Sequence, residues 1–358
     1  MKPSFLRAAV YLLVVALATI GNSLASFAEE PKKPAAAPAA NLSRTIVPTD
    51  YLVVPAVGQY GRQPLQRDAV EEQIVLGTWK DPTAGQTVKT PDGKLSMWSA
   101  VKAGDDGTLD TQKLRGGYAF TTFESSAERV MLLEATGNAM VYVNGEPHAG
   151  DTYSLGWLRL PVLVKKGKNT LLFHLGAGKL SARITAPPAA VFFGDKDRTL
   201  PTLVRGEKKP GWVWAAVPII NATRDWIDDA RIECQPKKGE ARPTPIAPIA
   251  PLSICKVPFQ IPATGDESDD EAYFHIRLEA HLLPAEEGRI GGDSSQSKSP
   301  SSNPLPKGEG SRSATSTTVA EADVTLKRVG PHEIHVRTFH SKIDGSVQRY
   351  AVLPAAEA

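Results

Sequence analysis

Much of what would announce a function is missing from this chain. Its cations come singly or in pairs such as Lys165-Lys166 and Lys237-Lys238, and the formal charge is only +2 over 358 residues. Without clustered Arg and Lys there is little to neutralise a phosphate backbone, so nucleic acid is excluded as a partner. No HExxH occurs, and His332, His335 and His340 have no Cys or Glu at ligand spacing. They read as satisfied or surface histidines, and neither a metal nor any other cofactor is expected. No G-x-S-x-G is present, and no alternation of strand and helix would carry one, which leaves a nucleophile elbow and its triad without a seat. The acids Glu124, Glu128, Glu134 and Glu146 stand singly, so no pair of carboxyl groups is marked out to work across a glycosidic bond. Long apolar runs are absent after the first thirty residues, which excludes a later membrane-spanning helix.

What is present begins with an export signal. Lys2 and Arg7 precede an apolar run over 8–20, and Ser26-Phe27-Ala28 offers the small residues after which a signal peptidase cuts. The run is shorter than the roughly 20 residues of a spanning helix, and no Cys near the cut would take a lipid. A signal peptide over 1–28 therefore sends the chain to the periplasm or beyond the cell. Residues 29–45, rich in Pro and Ala, read as an extended linker. A second biased stretch, 284–318, is dominated by Ser, Gly, Pro and charge. It cannot bury enough apolar surface to offset its chain entropy, and reads as a disordered insertion inside one domain.

Between these segments the apolar period is two. Val141 and Val143 share a parity and run into Asn144-Gly145, the dipeptide that favours a type I′ hairpin turn. Leu158, Leu160, Val162 and Val164 alternate next, followed by Leu171, Phe173 and Leu175 and by Leu180, Ala182 and Ile184. Tyr118, Phe120 and Thr122 precede a further run over 130–133. No helical period competes, and the spacing predicts an antiparallel sandwich over 46–190. Further along, Ala230, Ile232 and Cys234 share one parity, as do Cys255, Val257, Phe259 and Ile261, and Phe274, Ile276, Leu278 and Ala280. Val324 with Leu326, and Ile334 with Val336, add strands after the insertion, which predicts a second, smaller sandwich over 191–338. The fold class is all-β: two antiparallel β-sandwiches.

The run VYVNG followed by KKGKNTLLF resembles the galactose-binding-like jelly roll that accompanies many secreted glycosidases and peptidases. The longer series LRGGYAF, MLLEATGNAMVYVNGEPHAGDTYSLGWLRLPVLVKKGKNTLLFHLGAGKL and DRTLPTLVRGE resembles the N-terminal region of exported bacterial prolyl-oligopeptidase-like serine hydrolases, over roughly 70 to 350. IINAT and PLSICKVPF extend the resemblance into the second sandwich, which looks immunoglobulin-like. In such hydrolases a segment like SKIDGSVQRYAVLPA is the first hairpin of the catalytic α/β-hydrolase domain. Here Asp344-Gly345 predicts a turn between 337–340 and 347–352, so 339–358 reads as that hairpin with the rest of the catalytic domain absent. The resemblance implies a non-catalytic scaffold region whose partner is a hydrolase domain within a full-length relative.

Some residues retain two readings. Cys234 and Cys255 form either a disulfide, which an oxidising compartment permits, or two buried free thiols, and neither reads as a nucleophile. Asp105, Asp106 and Asp110, and the acids over 266–271, are solvated loops or calcium ligands. Trp79, Trp98 and Trp157 either fill the ends of a sandwich core or stack on a sugar. The second of these would make the chain a self-sufficient carbohydrate-binding or adhesion module.

Overall fold

Apolar alternation builds a mostly β chain with several antiparallel sheets, seen in a computed structural model that describes residues 45–59, 66–176, 178–206, 211–262, 268–280 and 317–354. The signal peptide, most of the linker and nearly all of the insertion expected from the sequence lie outside the described residues. None of the described helices is long and apolar enough to cross a membrane.

The first sandwich packs a six-stranded sheet on a four-stranded one. The larger runs Glu146–Ala149, Asn138–Val143, Gly167–Leu175, Tyr118–Ser125, Asp50–Val54, Ser99–Lys102, and the smaller runs Leu160–Val164, Arg129–Thr136, Lys179–Thr185, Thr108–Asp110. Val141, Val143, Leu171 and Phe173 meet Leu133, Val162, Leu180 and Ile184 between them. Leu158 lies outside the strand that its alternation suggested.

Asn144-Gly145 is the two-residue loop that sets the Val143↔Glu146 register, with φ of 53° and 90° at its two residues. A neighbouring asparagine ties this turn down. The Asn144 Nδ2 donates to Asn169 Oδ1 at 2.9 Å, the Thr170 amide donates to Asn144 Oδ1 at 3.0 Å, and the buried Asn169 bonds Lys165 through both its amide ends. Two hairpin turns are thereby joined side by side, which is structural work.

A helix is present where the sequence reading expected none. Asp68 accepts from the amides of Val70 and Glu71 and starts the helix Ala69–Val75, with Glu71 and Glu72 in its first turn. This is the D-x-x-E capping signature, and it was legible at Asp68 and Glu71. With Trp98 and Val88 the helix covers the other face of the six-stranded sheet. That second layer corrects the expected parity of Tyr118–Ser125: Tyr118 and Phe120 face the helix layer, while Ala119 and Phe123 enter the core between the sheets.

The second set of strands forms a three-stranded sheet, Val191–Phe193, Trp212–Asn221, Ser253–Pro262, facing a five-stranded one, Leu203–Val204, Thr317–Val329, Glu271–Ala280, Arg231–Pro236, Arg242–Pro245. Ile232, Ile276 and Leu278 pack against Val217, Ile219 and Phe259. The strands on either side of 281–316 pair with each other from Glu271↔Lys327 to Ala280↔Thr317. Thr317 and Thr318, assigned to the insertion from composition, therefore belong to a strand.

The expected C-terminal hairpin is present as His335–His340 and Val347–Val352, with Gly345 at φ 68° in its turn. Its first strand is inverted relative to the expected parity: Ile334 is exposed and His335 is buried. Polar bonding sets the inversion, because His335 Nδ1 faces the Glu333 carbonyl at 2.9 Å and the Arg337 Nε donates to His335 Nε2 at 3.1 Å. Thr202 takes up the outer edge of this strand, donating its amide to the Val336 carbonyl at 2.8 Å. Both sandwiches and the hairpin lie in one compact unit, Leu42–Ala358.

Candidate functional site

The three tryptophans separate on burial. Trp98 is 1% exposed and sits in the core under the helix, its amide donating to the Gln86 carbonyl at 2.8 Å. It is no ligand platform, because the turn 85–98 folds it inward. Trp79 is half-buried edge-on against Trp98 with centroids 6.2 Å apart. Trp157 differs, being 43% exposed at the mouth of a cleft.

The cysteines also part company. Cys234 is fully buried and Cys255 exposed, and both are free thiols. The inward parity expected for Cys255 fails because the strand's buried alternation begins only at Val257. Burial pushes the Cys234 thiol up to about 12, so it is held as a neutral apolar group with no nucleophilic character.

Several of the acids that composition left open have partners. Asp106 accepts from the Thr108 amide and hydroxyl, and Asp110 from the Gln112 amide. Asp270 pairs with Arg205 at 2.5 Å. Glu134 binds Arg183, and Glu128 reaches Arg224 at 2.6 Å. No group of three or more His, Cys, Asp or Glu suited to a metal occurs among the described residues. His340 stacks on Trp214 with centroids 4.4 Å apart.

The cleft at Trp157 lies where the two sandwiches meet, with a volume of about 430 Å³. One wall is the loop between Glu146–Ala149 and Leu160–Val164. Its shape is dictated by Asp151, which is buried and accepts from the amides of Leu155 at 3.0 Å and Gly156 at 2.5 Å, while the Ser154 amide donates to the Asp151 carbonyl. Positive φ at Ser154 and Gly156 completes the bend. With the acid inside, Tyr153, Leu155 and Trp157 are turned out to solvent.

The opposite wall comes from the second sandwich: the 194–197 turn, Pro218 and Ile220, and Ile254 and Lys256. Two ion pairs and one lysine-to-carbonyl hydrogen bond line the mouth. Arg159 pairs with Asp195 at 3.2 Å, Lys256 with Asp197 at 2.8 Å, and Lys196 donates to the Gly156 carbonyl at 3.1 Å. Sequence reasoning named Trp157 but missed Tyr153, four residues before it; the second-sandwich wall had no local signal because it is assembled by tertiary contact.

No family model matches the chain, and no curated protein matches it. Solved structures are similar at a distance. A calcium-binding mutant of the β-glucuronidase 2 of Bacteroides uniformis aligns over 66% of this chain and 30% of its own, at 11% identity and a TM-score of 0.29. The exo-chitosanase CsxA of Amycolatopsis orientalis aligns over 86% of this chain and 36% of its own, at 11% identity and a TM-score of 0.27. This chain thus spans about a third of the length of these structures, and a likeness at such TM-scores carries no argument about what it does.

Proposed function

We propose that the chain is a non-catalytic scaffold region of an exported serine peptidase or esterase, built from a galactose-binding-like jelly roll and a smaller immunoglobulin-like sandwich. The observation that supports this most is the C-terminal hairpin. It is anchored on one side, where the Thr338 hydroxyl donates to the Trp214 carbonyl at 2.5 Å and His340 stacks on Trp214. On its other side Phe339, Tyr350 and Ile343 are exposed. A hairpin so anchored and so apolar suits a surface onto which a catalytic α/β-hydrolase sheet packs. The test is the transcript from the native source: a reading frame continuing into G-x-S-x-G supports the proposal. A transcript that stops at Ala358, with a product of this size accumulating, overturns it.

A second reading, an exported carbohydrate-binding module, is favoured by a specific observation. Tyr153 and Trp157 are turned outward on a loop whose geometry is fixed by a buried aspartate. A glycan array probed with the full chain tests it; the absence of any reproducible hit removes this reading.

A further inference from the structure

We propose that the cleft between the two sandwiches is a composite binding site for a short neutral saccharide, stacked on Tyr153 and Trp157 and held at its hydroxyls by the Arg159–Asp195 and Lys256–Asp197 pairs. This inference rests on the carbohydrate-binding reading and assigns it one place and one class of ligand.

Shape comes first. A volume of about 430 Å³ lies within the range of small-molecule sites, which join apolar walls to a few convergent polar groups. The aromatic wall is pre-formed, because the Asp151 carboxylate holds the amides of Leu155 and Gly156 and leaves Tyr153 and Trp157 exposed on either side of that frame. Large rigid aromatics offer contact area at little entropic cost. They suit a ring with one apolar C–H face.

Charge then selects among such ligands. The Arg159 guanidinium faces Asp195, and the Lys256 ammonium faces Asp197. The lining carries three acids, Asp151, Asp195 and Asp197, against three cations, Arg159, Lys196 and Lys256, so the mouth offers no strong field to draw an ionic ligand. Yet each pair retains hydrogen-bonding capacity, since a guanidinium has five N–H donors and a carboxylate about four lone-pair sites. Donors and acceptors beside an aromatic wall match the hydroxyl groups of an uncharged sugar, each of which both donates and accepts. Because Trp157 and Arg159 belong to one sandwich and Asp197 and Lys256 to the other, the site exists only where the two meet.

The experiment is calorimetric titration of the full chain with short gluco-, galacto-, manno- and xylo-configured oligosaccharides, with oligogalacturonate as the acidic probe. Binding of a neutral probe is expected. Trp157→Ala and Tyr153→Ala should each weaken it at least about tenfold. Asp197→Asn and Lys256→Met should weaken it severalfold, with thermal midpoints unchanged; Asn suits the φ of 55° at Asp197, and Met keeps the Lys256 stem. Binding lost with Trp157→Ala but indifferent to both second-sandwich variants overturns the composite site and leaves the carbohydrate reading standing. So does binding that depends on Trp79 instead. Preference for the acidic probe overturns the ligand class, and no binding of any probe overturns site and reading together.

Discussion

Trp98 and Trp157 show how far identical side chains diverge once the backbone has placed them. Trp98 packs with Val88 and Val70 beneath the helix, wholly enclosed, so truncating it removes a large buried group and leaves a cavity. Trp98→Ala should cost about 3–5 kcal/mol in chemical denaturation. Trp157 stands at the rim of the cleft, 43% exposed, and Trp157→Ala should change stability by no more than about 0.5 kcal/mol. Equal losses at the two positions would show that the Trp157 loop is part of the core. This contrast bears on function, since only a residue whose removal spares the fold can be tested as a ligand contact. Sequence pattern alone left both residues with two readings, because neither sits in a clean apolar alternation and burial here is decided by a layer that folds over from 66–98.

At the scale of elements, alternation was the legible part. Leu180, Ala182 and Ile184, and likewise Phe274, Ile276 and Leu278, are all buried on the parity that the sequence implied. It misled where a strand is covered on both faces, as at Tyr118–Ser125, and where polar bonding outweighs hydropathy, as at His335. The outer face of the five-stranded sheet carries its own stabilising pattern. Glu233 lies opposite Arg277 and Arg231 opposite Glu279, with contacts of 2.6 and 2.7 Å. The hydrogen bond from Arg277 holds the Glu233 carboxyl below its ordinary value of 4.5. A depressed carboxylate contributes stability that is full above its unfolded value and is lost as pH falls through the folded one. Stability should therefore decline below about pH 4.5, and Glu233→Gln should flatten that decline while costing about 0.2–1 kcal/mol at neutral pH. An unchanged acid slope in Glu233→Gln would remove this pair from the account.

The same sheet makes a prediction about the chain between its strands. Ala280 and Thr317 stand opposite each other at the end of one antiparallel ladder, so the ends to be joined are already adjacent. Replacing 281–316 by Asn-Gly supplies a two-residue turn of the kind antiparallel strands accept. Loop-closure entropy changes slowly with length, so the replacement should leave a single cooperative transition and raise stability by at most about 2–3 kcal/mol. Loss of the transition would mean that 281–316 contributes packing to the sandwich.

For the whole molecule, the decisive surface is the one the C-terminal hairpin leaves open. His335–His340 is bonded along one edge to Thr202 and along the other to Val347–Val352, whereas no further strand pairs with Val347–Val352 among the described residues. An open strand edge beside exposed Phe339, Tyr350 and Ile343 joins unpaired backbone groups to apolar side chains, the combination that templates further strand addition. If the hairpin is the dock for a hydrolase domain, the chain on its own should self-associate through it. Sedimentation velocity at rising concentration should then show reversible dimers or larger species, and the double substitution Phe339→Ser with Tyr350→Lys should return the chain to monomer without lowering its melting temperature, because neither side chain is enclosed. Gatekeeping charge on an edge acts in this way in other sheets. A wild-type chain that stays monomeric across the range would mean that this edge is adequately protected as it stands, and the scaffold proposal would lose the observation it rests on. Association that persists in the double variant would transfer the sticky surface to the Tyr153–Trp157 loop, where the same measurement on Trp157→Ala locates it.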